Sequence, residues 1–91
     1  MKTIKIPETE REALGIALDI IRTRRELTQP QLAKLMGVGQ ATVHRILNGK
    51  ADLRLVQIYK FLTLDEIAEL FRALSDFENK RDTVKQQRET P

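Results

Sequence analysis

Residues 27–50 read Leu27-Thr-Gln-Pro-Gln-Leu-Ala-Lys-Leu-Met-Gly-Val-Gly-Gln-Ala-Thr-Val-His-Arg-Ile-Leu-Asn-Gly-Lys50, and this stretch decides the fold. Thr28 and Gln31 have the spacing of a capping box, in which hydroxyl and amide each satisfy one orphan backbone N–H. Pro30 is tolerated in a first turn, where its missing N–H costs nothing. The spacing predicts a helix over Gln29–Met36 that buries Leu32, Ala33 and either Leu35 or Met36. Gly37-Val38-Gly39 reads as a tight turn, since two glycines allow positive φ while Val38 keeps one apolar side chain for the core. A further helix follows over Gln40–Leu47 with Val43, Ile46 and Leu47 inward, and Asn48-Gly49 stops it in the left-handed manner.

Outward from this pair, Thr9 and Glu12 repeat the box spacing and open a first helix from about Pro7 or Glu10 to Arg25. Its apolar residues are Ala13, Leu14, Ala17, Leu18, Ile20 and Ile21. Downstream, Asp52 is the natural N-cap of a fourth helix carrying Leu55, Val56, Ile58, Tyr59 and Leu62. Thr63 and Glu66 form a third box, opening a fifth helix over Leu64–Asn79 with Ile67, Leu70, Phe71, Leu74 and Phe77 at helical spacing. The polar run from Lys80 to Pro91 is expected to be a disordered tail, and Met1–Ile6 a short strand or flexible arm. The expectation is an all-α, five-helix domain over residues 1–79, with no internal repeat and no linker.

Composition narrows what such a domain can do. Its 91 residues allow one core, and 41 % hydrophobic residues suffice to fill it. The absence of Cys excludes a disulfide framework and a thiolate zinc site. His44 is the only histidine and Ser75 the only serine, which removes a shared Ser-His-Asp site and a His-rich metal centre. No apolar run reaches the roughly 18 residues of a membrane span, and Met1–Pro7 lacks a signal peptide's apolar core, so the expected location is cytoplasmic. The net charge of +3 is unevenly spread: residues 1–21 sum to −1, residues 22–60 to +6 and residues 61–91 to −2. A basic middle between acidic ends is the footprint of a surface that binds a polyanion.

Two helices joined by a short glycine turn form a helix-turn-helix, in which the second helix enters the DNA major groove. The outward face of that second helix holds Gln40, Ala41, His44 and Arg45. Gln pairs with adenine, Arg with guanine, and an Ala methyl packs on thymine. The stretch Leu27–Lys50 resembles the Cro/repressor (xenobiotic response element) helix-turn-helix family, and within it the lambda-repressor-like domains. The likeness covers roughly Leu14–Leu64. It implies a five-helix, cytoplasmic regulator of bacterial or phage origin that binds double-stranded DNA as a homodimer, without metal or cofactor, and controls transcription.

By the same resemblance, Gln29 holds a phosphate and braces Gln40, which contacts adenine. Ala41 and Arg45 occupy the next base-facing positions, Thr42 and His44 face the groove edge or backbone, and Asn48 and Lys50 grip phosphates. Arg24, Arg25 and Arg54 are secondary candidates, each equally readable as a solvated charge. Three positions depart from the family pattern. Leu47 stands where a Glu often pairs with the arginine at position 22, leaving Arg22 as a phosphate ligand or an exposed charge. Glu26 replaces a common Gly, which suggests a different end to the first helix. Gly39 replaces a hydroxyl cap.

The stripe Phe71, Leu74 and Phe77 is wide for a small core and is expected to form a dimer interface. Two other functions fit the same residues: an antitoxin that represses its own operon while its arm or tail binds a toxin, and a protein-interaction module without DNA. No cluster of titratable residues supports catalysis.

Overall fold

A computed structural model describes residues 6–89, with side chains for residues 6–80. It contains α1 (Glu10–Arg24), α2 (Gln29–Met36), α3 (Gln40–Leu47), α4 (Leu55–Ile58) and α5 (Leu64–Glu89), with no strand among the described residues. The expected all-α, five-helix architecture is therefore observed. The arm expected at residues 1–6 lies outside the description except for Ile6, which is exposed.

The boxes set the helix starts. Gln31 donates its backbone N–H to Thr28 Oγ1 (3.2 Å), and its side chain accepts from the Thr28 N–H (2.8 Å). Thr63 and Glu66 exchange the same two bonds at 3.1 and 2.9 Å. At α1 only half the box forms. Thr9 Oγ1 accepts from the Glu12 N–H, whereas the Glu12 carboxylate accepts from the Glu8 N–H instead.

Several boundaries and faces differ from the sequence expectation. Asp52 does not cap α4; its carboxylate takes the Arg11 Nε at 2.5 Å and ties the α3–α4 loop to α1. Arg54 is the N-cap, its N–H donating to Gln57 Oε1 at 2.9 Å, and α4 is one turn long. So short a helix can turn only part of its stripe inward. Ile58 and Leu62 are buried, while Leu55, Val56 and Tyr59 are 56, 66 and 51 % exposed. Met36 rather than Leu35 enters the core, and Ile20 points outward. Gly37 alone in the α2–α3 turn takes a left-handed φ, of 71°; Gly39 is extended and leaves α3 without a side-chain cap. Finally, α5 continues past Asn79 to Glu89. Residues 80–89 are Lys, Arg, Asp, Thr, Val, Gln and Glu with no Gly or Pro, and several of these are good helix formers despite their polarity.

The core centres on Leu18, Ile21, Leu32, Val43 and Ile46, all at most 1 % exposed. α1 packs on both α3 and α5, and α2 on α3 and α4. The crossing of α1 over the last turn of α3 is backbone on backbone. A Cβ at Gly15 would stand 2.5 Å from the Ile46 carbonyl oxygen and 2.7 Å from that of Leu47. Just beyond, Gly49 at φ 72° lies so close that a Cβ there would be 2.8 Å from Glu12 Cα. These two glycines seat α3 against α1 and so fix the direction in which its other face points.

Candidate nucleic-acid interface

The outward face of α3 matches its sequence assignment. Gln40, Ala41, His44 and Arg45 are exposed and Thr42 is half-buried, while Val43, Ile46 and Leu47 are buried behind them. Three buried apolar side chains on an eight-residue helix leave it little freedom to rotate, so four side chains project as a set.

The helix end is equally determined. Asn48 Nδ2 donates to the His44 carbonyl at 2.7 Å and lies 3.5 Å from His44 Nε2, so one amide both caps the backbone and sits beside the imidazole. The Lys50 N–H donates to the Arg45 carbonyl at 2.8 Å, holding the exposed Lys50 beside the helix end. Gln29 sits half-buried at the start of α2. Among the described residues no hydrogen bond joins it to Gln40.

Ion pairing sorts the cations of the basic middle. Arg24 clamps the Glu69 carboxylate with two bonds of 2.8 and 3.0 Å, and Arg25 clamps Glu66 with Nε at 2.8 Å and Nη2. The Arg25 guanidinium holds the Glu66 carboxyl well below the usual carboxylate range, at about 2, helped by the Thr63 bonds and opposed by burial. Glu69 is likewise lowered by its bond to Arg24. Arg22 is not simply exposed. It is half-buried, bonding Asp19 Oδ1 and the Leu27 carbonyl, both at 2.8 Å. With Leu47 unable to pair, Asp19 takes that charge, and the guanidinium fixes the loop leading into α2.

Glu26 in this loop adopts φ 57°, so the chain makes the left-handed turn without glycine. The backbone bears the strain of that left-handed conformation. Among the described residues, the cations of the basic middle left without a carboxylate partner are Lys34, Arg45, Lys50, Arg54 and Lys60. Arg24 and Arg25 join α1 to α5 through these pairs.

A helix-turn-helix domain model matches residues 13–76. The chain belongs to the helix-turn-helix domain family. The match spans all of α2, α3 and α4, most of α1 and the first half of α5. It supports a domain of the xenobiotic-response-element type, without singling out lambda repressor. No curated protein matches the chain. Domains of this family are non-catalytic DNA-binding modules, and the α2–turn–α3 unit is this chain's helix-turn-helix.

Among the described residues no helix is long and apolar enough to cross a membrane, and no group of three His, Asp or Glu could hold a metal ion. On α5, Phe71 is 61 % exposed, while Leu74 and Phe77 are half-buried. Two features of the domain carry no simple sequence signal. The Gly15 seat depends on where α3 crosses α1, and the destinations of Arg24 and Arg25 depend on acids 45 and 41 residues away.

Proposed function

We propose that this helix-turn-helix domain is a homodimeric, sequence-specific regulator of transcription that lays α3 in the major groove of a pseudo-palindromic operator. The observation that carries the reading is the pairing of opposite properties around one short helix. Its inner face is buried, and its outer face presents Gln40, Ala41, His44 and Arg45, the arginine having no carboxylate partner among the described residues. Gln40 suits adenine, Arg45 guanine and Ala41 a thymine methyl. Thr42 and His44 flank these at the groove edge. Gln29, Asn48 and Lys50 stand at the ends of the motif, where phosphates flank the groove. A dimer occupying two half-sites about 34 Å apart covers enough duplex to bar polymerase, so repression by occlusion is the expected outcome.

Selection of bound duplexes from a random library at about 0.15 M salt tests this reading, the ionic strength fixing the non-specific background. The expected product is a two-fold motif with half-sites about one helical turn apart. A library that emerges without enrichment contradicts it.

A further inference from the structure

The polar pair that closes α3 has a direction. His44 and Asn48 stand four residues apart, the spacing at which side chains meet on a helix surface. The His44 carbonyl accepts two bonds from Asn48, one from its backbone N–H at 3.1 Å and one from its amide at 2.7 Å. A carbonyl oxygen only accepts, so the amide atom facing it is the nitrogen, and this fixes which way round the Asn48 side chain sits. The same Nδ2 lies 3.5 Å from His44 Nε2. An amide nitrogen carries two hydrogens; with one given to the carbonyl, the other is left for the ring.

A ring nitrogen that receives an N–H must hold a free lone pair. In a neutral imidazole one nitrogen donates and the other accepts, so an accepting Nε2 places the proton on Nδ1. Among the described residues no carboxylate pairs with His44, and Asn48 supplies the one hydrogen bond to its ring. The side chain is exposed, so the Nδ1–H remains available to a partner from outside. Asn48 is left with Oδ1 alone. That atom is an acceptor and cannot bond a phosphate oxygen, which is an acceptor too.

From this we infer that Asn48 is a positioning residue, holding His44 as the Nδ1–H tautomer, and that His44 donates this N–H to the DNA phosphate that the resemblance implies for Asn48. Base edges are met by the N-terminal residues of a reading helix, and His44 lies one turn beyond Gln40, towards the phosphates that flank the groove. This role rests on the DNA-binding reading and deepens it. A neutral N–H adds affinity without releasing a counterion, so His44 supplies a share of the binding that salt does not remove.

His44 is the only histidine, so long-range proton–nitrogen correlation spectra of the full chain report a single imidazole. At a pH of about 8.5, above the range in which imidazoles change charge, the proton should sit on Nδ1. Asn48→Ala should return it to Nε2, the site free imidazole side chains favour, moving the tautomer ratio about fivefold or more, the scale of one hydrogen bond. Circular dichroism checks that the variant keeps its fold. A wild-type proton on Nε2, or a ratio that Asn48→Ala leaves unmoved, overturns the pair whatever the DNA shows. On duplexes selected with wild type, His44→Ala at the same pH should weaken binding about tenfold on every sequence and leave the salt slope unchanged, because no cation is lost. Asn48→Ala should cost about as much, and the double variant no more than either alone. Additive losses, or a base preference lost with His44→Ala, overturn the phosphate role while leaving α3 as the reading helix. A wild type that enriches no duplex overturns that role and the DNA reading together.

Discussion

Replacing Gly15 by Ala sets two well-characterised effects against each other. In a helix interior Ala is favoured over Gly by about 1 kcal/mol, because glycine loses more backbone entropy on folding. At position 15 the new methyl meets the Ile46 and Leu47 carbonyl oxygens at 2.5 and 2.7 Å. Even weak C–H···O contacts sit near 3.3–3.6 Å, so α1 and α3 must separate by several tenths of an ångström. The obstacles are backbone atoms, which no rotamer change can clear. The cost of overpacking therefore falls at the upper end of its usual range, about 3 kcal/mol. The net loss is about 2 kcal/mol, which for a domain of this size lowers the melting temperature by about 8–16 °C. Thermal melting followed by circular dichroism at 222 nm, the helix band, measures it directly. An unchanged or raised melting temperature would refute the close crossing and with it the account of how α3 is aimed.

Three further outcomes follow from the geometry. The Glu66 carboxyl is lowered from an ordinary 4.5 to about 2 in the folded chain, so its contribution is complete above the unfolded value and is lost as pH falls from 4.5 towards 2. Glu66→Gln should accordingly cost about 1–3 kcal/mol at neutral pH, with the gap to wild type closing in acid; denaturant melts at several pH values that show a constant gap would contradict the Arg25 clamp. Glu26→Gly should stabilise the domain by about 0.5–1 kcal/mol, since glycine relieves the left-handed strain at φ 57° but adds unfolded-state entropy. A destabilised variant in the same melts would count against that turn. Gly39→Ser should add a few tenths of a kcal/mol, because the site is open and extended and the hydroxyl can reach the N–H groups that start α3.

How much of this was legible in the sequence varies with the range of the interaction. The capping pairs Thr28–Gln31 and Thr63–Glu66 are local, and both helix starts appear where their spacing places them. The inner face of α3 was legible for the same reason: Val43, Ile46 and Leu47 follow the helical period. Asp52 was misassigned because capping propensity competes with a charge partner 41 residues earlier, Arg11, which periodicity does not reveal. The fate of the basic middle was hidden likewise. Arg24 and Arg25 are claimed by Glu69 and Glu66, 45 and 41 residues further along, so the segment sum overstated the charge left for a polyanion. Polarity was also a poor guide to the end of α5, where side chains that need no core still favour a helix.

The central claim is that the outward face of α3 reads bases while its flanking cations hold the backbone. Parallel selections from one random duplex library with wild type, Arg45→Ala and Lys50→Ala test it most directly. With Arg45→Ala the motif should lose its preference at a single base pair in each half-site, at a cost of about 1–3 kcal/mol on the wild-type site. With Lys50→Ala it should keep every preference, bind all sequences more weakly and show a salt slope lower by about one. A motif unchanged by Arg45→Ala would contradict the assignment of α3 as the reading helix.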